Sequence, residues 1–389
     1  MYVLLIYLFL AGAVLFELLF PERRNKTREW VIYAVIAGFF LIRFSLGQDT
    51  ESYYWIFTHV TNPIQDAITS HMMRNITFTT ANYVVKFLFH EYRWFVLCSN
   101  LLVLGVCTWV TARHSPYPLL SLMLFTGSGV LEVYYGSGLR QAMAMALFLF
   151  AFYRFLPRKQ YLWYELFVLL AVGCQEVAAI AIPVPLLMLL QKPFRNHPVR
   201  TALLMLVAGV LFLGITYNGA VAVENYFINR YGYAPSWTHV LAYFHDREFS
   251  IVGIAMETVF VVGIMVLYLI GSKENDKAFL SMEMLTFIFS VAAYYAMSMY
   301  PLMSRCSDLI QIIMLGLVPK LFFRIAKRSH RIIAWLGIVM VNGVLLTVDL
   351  REKCRHLNEK TGTALTIQNY PYFTVFDTEN VNAALQFPE

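Results

Sequence analysis

Three arginines in otherwise apolar surroundings are the residues of this chain best placed to do chemistry. Arg140 follows Gly138 in "YYGSGLRQAMAMALFLF", at the expected N-terminus of an apolar helix. There, unpaired backbone N–H groups and the positive end of the helix dipole would sit beside a guanidinium, which describes an anion site. Arg305 repeats the arrangement in "MYPLMSRCSDLIQ", and Arg43 stands near the end of its own apolar run in "FFLIRFSLGQDTESYY". The planar, permanently charged guanidinium grips phosphate in a bidentate way, so the set, with Gln141 beside Arg140, suits a diphosphate. The plain alternative for each is an arginine snorkelling to the headgroup layer, and it weighs most for Arg43.

Carboxylates are the candidate bases. Asp49 opens a long loop, Glu176 sits at the polar break "GCQE", and Asp308 lies three residues after Arg305. Asp308 reads most simply as an intrahelical partner of Arg305 or a first-turn cap. Glu176 is costly to desolvate at an intramembrane turn, so it needs a cavity or a partner. Glu132 and Glu257 are embedded in apolar runs, where each either faces such a cavity or pairs with a neighbour. His59, His71, His90, His239 and His245 are scattered without the i, i+4 pairing of a helical metal site, and no phosphate-binding glycine loop, G-x-S-x-G or D-x-D pattern occurs. No metal and no cofactor is expected.

The elements that must carry these residues follow from composition. The 389 residues are 59% hydrophobic and 14% charged, with mean hydropathy +0.59, against roughly 25% charged in soluble domains. Apolar runs close to the ~20 residues that cross a bilayer recur along the chain. The reading is an all-α, polytopic membrane protein with spans near 1–20, 30–46, 94–111, 117–135, 138–156, 161–190, 199–217, 251–270, 278–297, 307–323 and 332–348. The first run lacks the basic start and small-residue end of a signal peptide and reads as a retained span. The stretch 161–190 is too long for one span and broken by "GCQE", so a hairpin of two short helices is expected, giving roughly 11–12 membrane helices. They form one membrane domain over 1–348, followed by an external tail at 349–389.

Lys and Arg cluster in alternate short loops, which places those loops in the cytoplasm and explains the net charge of +6 without a nucleic-acid partner. The opposite side receives the outer loop 47–93, the loop 218–250, the "GCQE" break and all three site arginines. Within 47–93, "ESYYWIFTHV" and "TTANYVVKFLFHEYRWF" mix aromatic and polar residues at helical spacing, as interfacial helices do. No internal repeat is visible, which counts against a secondary transporter. The five cysteines include no C-x-x-C pair and suggest neither a zinc site nor a disulfide framework.

An Asp followed by an aromatic pair ("GQDTESYYWIF"), then "GLRQAMAMALFLFAFYRF", then a hairpin with a polar turn and finally "MSRCSDLIQIIMLGLVP" resemble the EpsG-type family of Wzy-like exopolysaccharide and O-antigen polymerases. The resemblance implies a GT-C-like, metal-independent glycosyltransferase acting on polyprenyl-diphosphate-linked oligosaccharides at the outer face of the bacterial inner membrane. Asp49, Arg140, Gln141 and Arg305 match family positions. The family commonly carries a histidine at the hairpin turn where this chain has Gln175, which moves Glu176 or Asp49 forward as the base. The expected catalytic set is therefore Asp49, Glu176, Arg140 and Arg305. Arg43, Arg140, Gln141, Gln175 and Arg305 are expected to bind diphosphate and sugar. The expected partners are a lipid-linked oligosaccharide donor and acceptor, membrane lipid, and chain-length regulator and flippase proteins. Two other readings stay open: a flippase or transporter of lipid-linked saccharide, and a related O-antigen ligase or polyprenyl-phosphate-sugar glycosyltransferase.

Overall fold

The computed structural model describes residues 2–44, 49–70, 73–127, 138–231, 251–271, 278–298, 305–361 and 373–377. The chain divides into two compact units, Met1–Glu176 with Met314–Glu389, and Val177–Ile313.

The first unit opens with α1 (Tyr2–Leu19) and α2 (Lys26–Leu41). Asn25 caps α2 by accepting from the Thr27 and Arg28 N–H groups, which satisfies donors that have no partner within the helix. The outer loop then folds into three helices: α3 (Thr50–His59), α4 (Pro63–Thr69) and α5 (Ile76–Phe89). His90, in the left-handed region at φ 62°, ends α5. The second aromatic stretch is therefore not one helix, and its last residues begin α6 (Tyr92–His114). After α7 (Pro118–Gly127) come α8 (Leu139–Arg154) and α9 (Tyr161–Cys174). Ala142, Ala144, Ala146 and Ala151 of α8 are wholly buried, and such small side chains let neighbouring backbones close in, as helix contacts in membranes require. α8 packs against α6 and α9 and forms the centre of this unit.

The second unit begins just beyond the break. Gln175 is extended (φ −152°, ψ 122°), ending α9 where the sequence predicts a turn. The following arm is not the α-helix expected there but two runs of 3-10 turns, Glu176–Ala181 and Val184–Leu190, since Pro183 and Pro185 each lack the N–H an α-helix would need. Next come α10 (Gln191–Asn196), α11 (Pro198–Tyr231), α12 (Ile251–Gly271), α13 (Ala278–Met297) and α14 (Arg305–Gln311). Here α13 is central, in contact with α11, α12 and α14.

The chain returns to the first unit with α15 (Met314–Arg324) and α16 (Arg328–Thr361). Among the described residues, seven helical segments are long and apolar enough to cross a membrane, or eight if α14 and α15 count as one broken span. Of the eleven to twelve expected from apolar runs, α9 is a shorter apolar helix, and the run expected over 117–135 continues beyond α7 into residues outside those described. The span expected over 30–46 closes at Leu41, because Arg43–Phe44 leave the helix and pair antiparallel with Phe373–Thr374. The tail beyond 348 begins as a continuation of α16 and ends, among described residues, on this two-stranded ladder.

Contacts within the first unit gather its cations at two opposite ends. At one, Arg24 forks onto Glu29 at 2.6 and 3.0 Å, donates to the Pro116 carbonyl and lies 4.3 Å over the Tyr117 ring. At the other, the start of α1 meets the end of α2, with Arg43 5.4 Å over the Tyr2 ring.

In the second unit, a Cβ on Gly209 would lie 2.3 Å from the Ala292 carbonyl oxygen. That neighbour is backbone and cannot swing aside. Gly209→Ala is expected to destabilise by about 1–3 kcal/mol through overpacking. Gly12→Ala, which meets nothing within 4 Å, should be neutral or stabilising. Thermal unfolding of the two variants in detergent checks the pair.

Candidate functional site

Asp49, Arg140 and a residue the sequence reading passed over, Tyr53, form one cluster. Asp49 is the N-cap of α3, yet its carboxylate caps no backbone N–H. One turn later, the Tyr53 hydroxyl donates to Asp49 Oδ2 at 3.1 Å. The guanidinium carbon of Arg140 stands 5.3 Å from the centroid of the Tyr53 ring, so its charge acts on the phenol. Tyr53 is 2% exposed, with its ring against Phe78 at 5.2 Å. Burial first, and then the charge of Asp49, push its phenol above the ordinary value while Arg140 pulls the other way. Tyr53 therefore stays protonated and remains a donor.

Arg140 is held where the sequence places it, in the first turn of α8 after Gly138, which has no side chain to cap the helix. Gln141, the next residue, is buried. Arg43 does not snorkel. It is 2% exposed, enclosed by the ladder to Phe373–Thr374, and Asn100 Nδ2 donates to its carbonyl at 2.9 Å and to that of Leu41 at 3.0 Å. Val375 N–H donates to the Ile42 carbonyl at 2.8 Å. The C-terminal segment thus fixes the backbone on both sides of Arg43.

Glu176 has a partner that sequence reasoning missed: Arg74 Nε, 2.6 Å from Glu176 Oε1, with both side chains partly exposed. The neighbouring Asn75 donates to the Cys174 carbonyl at 2.8 Å. Gly173 permits this approach, since a Cβ there would fall 2.1 Å from Thr77 Oγ1 and 3.2 Å from the Thr77 nitrogen. Gln175 contributes its extended backbone at the same break.

In the second unit, Arg305 is the first residue of the seven-residue α14, with Asp308 in its first turn. Glu257 of α12 does pair with a neighbour. Gln311 Nε2 donates to Glu257 Oε2 at 2.8 Å and to Ser307 Oγ at 2.9 Å. Arg305, Asp308, Ser307, Gln311 and Glu257 thus belong to this unit, while Asp49, Arg140, Gln141, Arg43, Gln175 and Glu176 belong to the first. Among the described residues, no three His, Cys, Asp or Glu side chains gather as a metal-ligand set. Glu132, His71, His239 and His245, the first four residues of the "YYGSG" turn and most of the loop 218–250 lie outside the described residues.

Tyr53 left one legible signal, the i, i+4 spacing from Asp49 that sets the two over one helical turn. Arg74 left none, because its pairing with Glu176 depends on how α5 meets α9.

The cluster can therefore present a carboxylate and a permanent cation, tied through a neutral phenol, at one end of a membrane helix bundle. Comparison with protein-family models matches residues 30–374 to one described as the EpsG family. No curated protein and no solved structure matches the chain.

For the partly exposed Arg74–Glu176 pair, Arg74→Ala and Glu176→Gln should each cost no more than about 1 kcal/mol, and the double variant no more than either alone. Thermal unfolding of the three variants measures this, and a much larger loss for Glu176→Gln alone would show a second partner.

Proposed function

From the premise that this chain belongs to the EpsG family of exopolysaccharide-related polymerases, we propose that it joins polyprenyl-diphosphate-linked oligosaccharide repeat units by glycosyl transfer. A hydroxyl oxygen of the acceptor unit attacks the anomeric carbon of the donor. The bond from that carbon to the diphosphate oxygen breaks, and its electron pair leaves on polyprenyl diphosphate. Asp49 accepts the hydroxyl proton. Arg140, with Gln141 at its side, stabilises the charge growing on the departing diphosphate. Gln175, at the break beside Glu176, contacts the sugar. No metal takes part, a permanent guanidinium serving where a divalent ion otherwise would.

The observation that carries this reading is the link from Asp49 through Tyr53 to Arg140. It brings a carboxylate at the start of α3 and a guanidinium in the first turn of α8 to one phenol, which supports a division of labour between proton acceptor and anion clamp. Glu176, engaged with Arg74, is the weaker candidate for the base. The Arg24 and Arg331 contacts around Tyr117 make the opposite end of the first unit the basic one, which by the positive-inside rule faces the cytoplasm. The Asp49 end then faces the periplasm or exterior of a bacterial inner membrane. The lipid-linked substrates reach it through the outer leaflet, and a flippase and a chain-length regulator are the proteins that would act beside it.

Purified protein incubated with polyprenyl-diphosphate-linked repeat units alone, without nucleotide sugar, should give a ladder spaced by one repeat unit and release polyprenyl diphosphate. Arg140→Ala should abolish the ladder while the protein stays in the membrane. Asp49→Asn should slow it by about 10²–10⁴-fold, the range for loss of a general base, against less than about tenfold for Glu176→Gln. Movement of the lipid-linked saccharide between vesicle leaflets without any ladder would replace this reading with a transporter.

A further inference from the structure

The chemistry of the Asp49–Tyr53–Arg140 cluster allows one arrangement of protons. A guanidinium can only donate and an ionised carboxylate can only accept. A phenol set between the two can therefore only accept from Arg140 and donate to Asp49, and the observed bond from the Tyr53 hydroxyl to Asp49 Oδ2 runs in that direction. The face of the ring adds a second hold on Arg140, with the guanidinium carbon 5.3 Å from the centroid. Tyr53 itself is fixed. Its backbone N–H donates to the Asp49 carbonyl at 3.0 Å, and its ring packs on Phe78 in a fully buried position.

We propose that Tyr53 is the positioning residue of the site, a buried phenol that sets both the direction of the Asp49 carboxylate and the plane of the Arg140 guanidinium. The inference rests on the reading of those two residues as proton acceptor and diphosphate clamp. Asp49 and Arg140 come from α3 and α8, far apart in sequence, and neither helix alone determines where the other's group points. Tyr53 answers to both at once. An N-cap aspartate would ordinarily turn back to its own helix. Here the phenol draws the carboxylate off that role, which keeps it available to a hydroxyl arriving from outside. Because the phenol is neutral, it orients Arg140 without cancelling its charge.

The test uses the full-length protein in detergent and two readouts, binding of polyprenyl diphosphate and the kcat and KM of polymerisation. Tyr53→Phe keeps the ring, its packing and its attraction to Arg140, and loses only the hydroxyl. Its unfolding midpoint should stay within a few degrees of wild type. Binding of polyprenyl diphosphate should weaken about tenfold, and kcat should fall at least tenfold. In an Arg140→Lys background, where the planar fork is already gone, adding Tyr53→Phe should weaken binding less than about twofold further, since a residue acting through another does not add to its loss.

Wild-type binding and kcat in Tyr53→Phe would overturn the inference and leave the polymerase reading intact. Full additivity with Arg140→Lys would also overturn it. If the wild-type protein binds polyprenyl diphosphate but makes no polymer, while Tyr53→Phe binds tenfold more weakly and not additively, the polymerase reading fails and the positioning role stands.

Discussion

A charge at membrane depth must be answered by the protein, because lipid will not solvate it. In the first unit one recurring answer is an aromatic ring beneath the cation, and in several places that ring is a tyrosine. Arg43 lies over Tyr2, Arg140 over Tyr53, Arg24 over Tyr117 and Lys320 over Tyr153, at 4.3–5.4 Å. A tyrosine suits the task, since its body packs among apolar residues while its face attracts a cation and its hydroxyl bonds to a polar neighbour. Helix positions follow from this need. Gly316 leaves room for the Tyr153 hydroxyl, 2.3 Å from where its own Cβ would stand, so α15 is shaped around the residue that carries Lys320.

The two ends of the unit use these cations differently. At the basic end, Arg24 is spent on Glu29 and a carbonyl, and Arg331 donates to the Ile325 and Phe323 carbonyls. These contacts hold helix ends together, and Glu29 answers the charge of Arg24. At the other end the contact of Arg140 with Tyr53 is with a neutral group. The same residue type thus meets a carboxylate and backbone carbonyls at one end and a phenol at the other.

Much of this was legible in the chain. The helical, membrane-spanning architecture follows from hydropathy, and the break at Gln175 from a polar quartet in an apolar run. The prominence of Arg140 follows from a cation placed just after a glycine at a helix start. What was not legible depended on contacts between distant segments. Hydropathy marks Glu257 as anomalous but cannot say that Gln311, fifty-four residues away, will bond it. The 3-10 character of the arm after Glu176 was hidden for another reason, since its apolar content looks the same in either helix and only the prolines hint at the difference. Arg43 misled in the opposite direction. At the edge of an apolar run it resembles a snorkelling residue, and only the ladder to Thr374 shows that it is enclosed.

That ladder also constrains the order in which the molecule can be built. Arg43 is synthesised long before Thr374 and Val375, whose backbone pairs with its own and with that of Ile42. The helices between these two segments must be made before the enclosure is complete. Until then the end of α2 lacks its ladder to the C-terminal segment, and the contacts from Asn100 and Tyr2 are among those that hold it. Maturation of this end of the protein is therefore a late, post-insertion event, so that a chain halted before its C-terminal strand would carry every helix of the first unit and still lack the finished rim around Arg43.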